Sequence, residues 1–333
     1  MHSGRRFTLK EVIYWTRRDI YLFTIVATIP TALYYFLNIK WLVIPWVAIG
    51  LIGTAAAFLV GFKNTQTYNR LWEARQIWGG IINTSRAWGI LTRDMVKADE
   101  KKDIQILIYR HIAWLTALRY QMREPRLWEN MELKSNKEYG KFIKIAEKEI
   151  PLETELKKYL SEDELRYILS KKNRATQIIS LQSKHLRLLK ETGKLSEFDF
   201  IELEKTLTTF YDHQGKSERI KNFPYPRQFA TINQMFIRLF ISVLPFGILQ
   251  EFGKLSQDIG PNFIWATVPC SIIVGWVFHV MERIGEATEN PFEGSVNDVP
   301  ITNISRTIEI DLKEMLDETD IPAPITPVNN VLM

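Results

Sequence analysis

The chain has 333 residues, a formal net charge of +5 and one cysteine, Cys270, which excludes an intramolecular disulfide framework and any cysteine-cluster metal site. The mild charge excess is not gathered into one Lys/Arg run with interleaved aromatics, so nucleic acid is not expected as a partner. A mean hydropathy of −0.12 looks soluble, but it averages two apolar ends with a long charged middle.

Met1 to Asp19 carries Arg5, Arg6, Lys10, Arg17 and Arg18 among Phe7, Leu9, Val12, Ile13 and Trp15, the pattern of a helix lying on a membrane surface. It lacks the short apolar core and small-residue cleavage site of a signal peptide. Ile20 to Ile39 is uncharged and contains Pro30, and after Lys40 the run Trp41 to Phe62 adds 22 residues without a charge. At 1.5 Å per residue each run can cross a hydrocarbon core about 30 Å thick. Together they read as a transmembrane hairpin. Its basic residues lie before the first span and after the second, which by the positive-inside rule places both ends in the cytoplasm. Tyr34, Tyr35, Trp41 and Trp46 cluster near the connection, as interfacial aromatics do.

The Trp41 run changes character at Lys63 without a Gly-Pro break and keeps helical spacing to Trp78, which predicts one long helix leaving the membrane. Thr54, Phe58 and Phe62 recur every four residues and share a face. Gly50, Gly53, Ala55, Ala56 and Ala57 cover much of the rest, and small residues let membrane helices approach closely. Spacing alone leaves two readings open: the stripe looks into a ring of helices, or it faces lipid or a neighbouring helix.

From Lys63 to about Lys221 the chain is strongly charged, with helix-compatible runs at Thr65–Val96, Asp103–Met122, Lys137–Lys148, Glu153–Leu169, Arg174–Glu191 and Ser196–His213. Breaks are expected at Glu124-Pro125, Pro151, Gly193 and Gly215, and Ser161/Glu164 and Ser196/Asp199 have the spacing of helix starts. No strand-like alternation persists, so this region is expected to be all-α. Asn222 to Pro226 closes it. A second apolar pair follows, Gln228 to Gln250 with Arg238 inside it and Ile259 to Met281. Either that third span starts near Met235, with Arg238 snorkelling to the interface, or the arginine faces a polar interior. After Glu282 the chain turns polar, with one helical stretch, Ile304 to Leu316, in a tail expected to wrap the cytoplasmic region.

Four organisational blocks result: residues 1–62 (surface helix and first hairpin), 63–227 (helical cytoplasmic region), 228–281 (second hairpin) and 282–333 (tail). No catalytic constellation is found, and no enzyme or cofactor is expected. His111, His185 and His213 lie on different charged helices, and there is no HExxH, GxSxG or phosphate-cradling glycine loop. Glu73, Glu282, Glu286, Glu289, Glu293 and Asp298 either gather around a cation, which wants several oxygens, or are salt-bridged; the second is the expectation, and no metal site is assigned.

Gly61-Phe62-Lys63-Asn64, Tyr68, Arg70, Glu73-Ala74-Arg75 and Trp78-Gly79 resemble the helix signature of bacterial members of the bestrophin family. Glu289-Asn290-Pro291-Phe292, Asn297-Asp298-Val299-Pro300 and Arg306-Thr307-Ile308-Glu309 are similar to that family's tail motif, and Pro224-x-Pro226 and Leu244-Pro245-Phe246 also match. The likeness runs from about Thr8 to Leu316, and its motifs occur in the family's order. It implies an all-α membrane protein assembled as a homopentamer, with four membrane helices per subunit, a five-fold pore and a cytosolic vestibule made of the charged middle. The family's membrane neck falls on Thr54, Phe58 and Phe62, and its cytosolic constriction on Phe198. The chain departs from the family in two places. Animal members bind calcium in an acidic loop after the Asn-Pro-Phe motif, whereas this chain has Glu293-Gly294-Ser295-Val296-Asn297-Asp298, so calcium gating does not carry over. Phe58 follows the animal pattern where bacterial members tend to have isoleucine.

The resemblance therefore implies a channel for small monovalent ions in a bacterial inner membrane, with lipid and inorganic ions as its other partners. An apolar neck controls flow by dewetting. Inward phenyl edges favour anions and ring faces favour cations. Chloride is the first expectation; a sodium channel of the same fold and a non-conducting membrane scaffold or receptor are the alternatives.

Overall fold

Local chemistry sets most helix boundaries in the computed structural model, which describes residues 1–97, 101–131, 136, 140 and 144–333. Those residues divide into two compact units, one built from residues 5–69 and 224–289, the other from residues 1–4, 70–223 and 290–333.

The first unit holds the apolar helices. α1 (Leu9–Phe36) starts at a capping box in which Thr8 accepts from the Glu11 amide and Glu11 accepts from the Thr8 amide, satisfying two donors that a helix start leaves open. The amphipathic and apolar stretches read separately in the sequence are thus one helix, with Pro30 inside it. α2 (Trp46–Met95) runs for 50 residues, about 75 Å at helical rise. It starts later than the uncharged run suggests. Lys40–Leu42 is a 3-10 turn, and Pro45 keeps the residue before it, Ile44, out of helical conformation. That entry is pinned by α9 (Arg227–Ile259): the Ile44 amide donates to the Phe246 carbonyl at 3.3 Å and the Trp46 amide to Gln250 Oε1 at 3.0 Å. α9 continues helical through Glu251 and Asp258, which the sequence reading places in a connection, and stops at Gly260, whose φ of +131° few side-chain-bearing residues adopt. A 3-10 segment (Pro261–Ala266) leads into α10 (Thr267–Thr288). Trp276 of α10 donates to Thr16 of α1 at 2.9 Å, and the rings of Phe240 and Phe278 lie 4.5 Å apart. Among the described residues, four helical stretches are long and apolar enough to span a membrane: Leu9–Phe36, Lys40–Met95, Arg227–Ile259 and Pro261–Thr288. The protein is an integral membrane protein of all-α class.

The second unit takes the rest of α2 with α3 (Lys102–Arg123), α4 (Ala146–Glu149), α5 (Leu152–Leu156), α6 (Glu162–Leu169), α7 (Arg174–Glu191), α8 (Glu197–Asn222) and α11 (Ile301–Met315). Its core is aromatic at the centre: Trp88, Trp114 and Phe210 are fully buried around His111. The expected run Glu153–Leu169 is two helices, because Ser161 with Glu164 forms a capping box that starts α6 afresh. The run ending at His213 extends to Asn222. A helical glycine costs about 1 kcal/mol relative to alanine, and Gln214, Ser217 and Ile220, all buried, hold the helix across Gly215. Half of the run expected at Lys137–Lys148, residues 137–139 and 141–143, falls outside the described residues; its end lies in the helix Ala146–Glu149.

Candidate functional site

The predicted stripe lies on one side of α2 within the first unit. On the other side Ile49, Ala56 and Val60 are at most 1% exposed. Gly53 belongs to that packed side, since a Cβ there would stand 2.7 Å from the Phe240 ring. Val47, Leu51, Thr54, Phe58 and Phe62 face away from it; Phe58 is 74% and Phe62 46% exposed in the single chain. Positions 47, 51, 54, 58 and 62 follow alternating four- and three-residue steps, with one final step of four, close to the heptad seam along which like helices associate. No charged side chain occurs from Trp41 to Phe62. Thr54 donates its hydroxyl hydrogen to the Gly50 carbonyl at 2.9 Å, so the side chain presents only oxygen lone pairs outward.

Just beyond the stripe the same helix carries a buried polar knot. Lys63 Nζ lies 2.7 Å from Glu282 Oε1, and Asn233 donates to the other Glu282 oxygen. Asn64 donates to the Met281 carbonyl at 3.0 Å, and Arg227 pairs with Glu289. Opposite charge and hydrogen bonds to both carboxylate oxygens are what let such groups stay buried.

In the second unit the family-motif residues split into two groups. Arg70 donates to the Ile220 carbonyl, and Glu73 accepts from Arg219, which fastens α2 to α8. Arg75 lies on the same helix, with its Nε buried. The tail motif folds as a buried knot. The Val299 amide donates to the Pro291 carbonyl at 3.1 Å, the Glu293 amide to Asn290, and the Gly294 amide to Asp298 Oδ2 at 2.6 Å; Gly294 has a φ of +100°. Phe292 packs on Trp78, both fully buried. Asn297 is half-buried. Arg123, at the end of α3, donates to the Phe292 carbonyl at 3.0 Å and to Asp298 at 3.3 Å. Arg123 was not singled out in the sequence, where only its place just before Glu124-Pro125 marked it.

Both carboxyls of this knot are raised. Burial raises the Asp298 carboxyl despite the opposing pull of Arg123 and the Ser295 and Gly294 donors. Glu293 is raised too, by burial first and by the neighbouring Asp298 charge. The six acids considered for a cation are each engaged: Glu73 by Arg219, Glu282 by Lys63, Glu286 by Arg283, Glu289 by Arg227, Glu293 by the Asn130 amide and Asp298 by Arg123. His111 sits 2.9 Å from Ser85, and burial pushes it down to about 3, which keeps it neutral. His185 lies 2.7 Å from Arg110. Phe198, in the first turn of α8 behind the Ser196 capping box, is 85% exposed in the single chain.

The family model described as Bacterial/Fungal Bestrophin protein matches residues 7–314. The chain belongs to the bestrophin family. Among curated relatives, this bestrophin is 27% identical over 307 residues to the voltage-dependent anion channel-forming protein YneE of Salmonella typhi, covering 92% of this chain and 88% of that one. It is 24% identical over 273 residues to the voltage-dependent anion channel-forming protein RSc3414 of Ralstonia nicotianae, covering 80% and 76%. Its fold matches the crystal structure of a bacterial bestrophin homologue from Klebsiella pneumoniae with a TM-score of 0.74 at 23% identity, over 92% of this chain and 99% of that one. The bestrophin fold is therefore present from end to end of the matched region.

Proposed function

We propose that this bestrophin is a homopentameric channel for small monovalent ions, with anions, chloride first, as the permeant class. The observation that carries the reading is the uncharged face of α2: Thr54, Phe58 and Phe62 stand clear of their own chain while the reverse face is packed. Five such faces around an axis make an apolar neck that is dry when narrow and conducts when wetted. With no charged ring in the stripe, the sign of the ion is set by weak fields. Phenyl edges turned inward supply the positive rim of the ring quadrupole. The names of the Salmonella and Ralstonia relatives support an anion. One observation favours the sodium alternative: the Thr54 hydroxyl, committed to the Gly50 carbonyl, offers an acceptor rather than a donor.

Phe198 forms a second apolar constriction in the cytoplasmic region, and the tail from Asn290 onward ties that region together. The Arg5, Arg6, Lys10, Arg17 and Arg18 cluster before the first span and the near-neutral connection at Lys40 support cytoplasmic termini in a bacterial inner membrane. Reconstitution into planar bilayers under a potassium chloride gradient tests the function. A reversal potential toward the chloride equilibrium is expected; one toward potassium replaces the anion reading by the cation one, and no conductance leaves a membrane scaffold.

A further inference from the structure

The C-terminal end of α3, the α4–α5 segment and the start of α7, all within the second unit, enclose a cavity of about 380 Å³ that the proposed conduction does not use. Its lining carries four cations, Arg123, Lys148, Lys172 and Arg174. Arg123 and the two acids of the lining already have ion-pair partners. Glu124 pairs with Arg126 at 3.3 Å, Glu147 with Arg119 at 2.6 Å, and Arg123 with Asp298 at 3.3 Å. Lys148, Lys172 and Arg174 have no acidic partner among the described residues, and the Nε of Arg174 is buried without a hydrogen-bond partner there. A buried guanidinium nitrogen left unsatisfied in a lining that also carries two unmatched ammonium groups is an unfavourable arrangement that an oxyanion relieves.

The surroundings narrow the chemistry. Arg174 is the first residue of the 18-residue helix α7, whose N-terminal end adds positive potential. Guanidinium presents a fork that matches phosphate or carboxylate oxygens, and lysines act on phosphate as point charges. Three unmatched positive charges suit a multiply charged anion better than chloride. Tyr120 and Leu152 supply an apolar wall. Tyr120 donates to the Ile150 carbonyl at 2.8 Å and is pushed up to about 12 by burial, so it stays neutral beside an anion. The volume lies in the range of small-molecule pockets.

We infer that this cavity is a cytoplasmic binding site for a small polyanion bearing phosphate groups, held by Lys148, Lys172 and Arg174. Binding there occupies a place in the helical unit that is separate from the neck residues, so it acts on the channel as a ligand of the unit rather than as a permeant ion.

The full-length protein in detergent, titrated calorimetrically with inorganic pyrophosphate at constant ionic strength, tests this without reference to conductance. One saturable site per chain is expected. Arg174→Gln and Lys172→Gln should each weaken it tenfold or more, and Lys172 is exposed, so its replacement leaves the fold intact. Lys216→Gln, at a surface lysine paired with Asp212, should change nothing. No saturable binding, or equal binding by both cavity variants and the parent, overturns the site; citrate binding more tightly than pyrophosphate overturns the phosphate assignment.

Discussion

Lys63 and Glu282 form an ion pair at 2.7 Å with side chains only 4% and 7% exposed, one contributed by α2 and the other by α10. With Asn233 on the second carboxylate oxygen, the pair sets the rotation of α2 about its own axis at the point where the uncharged run ends. A helix turned so that Lys63 is inward carries Ala56 and Val60 inward too, and leaves Thr54, Phe58 and Phe62 outward. Removing one partner strands a buried charge, which costs about 3–5 kcal/mol. Lys63→Met or Glu282→Gln should therefore lower the thermal unfolding midpoint sharply in detergent. Lys63→Met with Glu282→Gln in the same chain should lower it less than the sum of the two single changes. Strict additivity would show that the two residues do not act as a pair.

Phe58→Ala replaces the most exposed ring of the stripe by a methyl group. In a five-fold neck this widens the apolar ring and favours its wetted state, so single-channel conductance should rise several-fold and anion selectivity should weaken. Channels identical to the parent in both respects would place Phe58 away from the conduction path.

Gly53→Val tests the packed side of the same helix. A Cβ at this position meets the Phe240 ring at 2.7 Å, and the ring has little room to yield because it also packs on Phe278. Overpacking of this kind costs about 1–3 kcal/mol. A lower midpoint is the expected result, with Phe240→Ala in the same chain restoring part of it.

Glu293 supplies a pH dependence outside the membrane spans. Its folded carboxyl is raised well above the ordinary value near 4.5 by burial and by Asp298. The folded state therefore binds more protons than the unfolded one, so this group's contribution to stability is full below pH 4.5 and is lost as pH rises toward the folded value. Glu293→Gln removes the charge and keeps an acceptor for the Asn130 amide. Its midpoint should match or exceed the parent's at neutral pH, and its decline between pH 4.5 and neutrality should be shallower. A steeper decline than the parent's would contradict the assignment.

Phe198→Ala addresses the proposed cytoplasmic constriction. With the ring 85% exposed, its loss should leave the free energy of unfolding within about 0.5 kcal/mol of the parent's. The permeability of large anions relative to chloride should rise, because the change widens an aperture and leaves the neck alone. An unchanged permeability ratio removes Phe198 from size selection.

Composition and periodicity sufficed for what depends on local order. The four apolar runs, the single long helix through Lys63, the capping boxes at Ser161 and Ser196 and the face shared by Thr54, Phe58 and Phe62 are all set by residues within a turn or two of one another, where hydrogen bonding and side-chain spacing act directly. The family motifs were legible as words, but not as contacts. Only the tertiary structure decided that Lys63 meets Glu282, more than two hundred residues away, and that Arg123 closes the Asn290–Pro300 loop through Asp298. It also decided that α8 runs on through Gly215 and that four cations line one cavity. Such pairings are selected by the burial of charge and the fit of distant surfaces, and neither leaves a periodic trace along the chain.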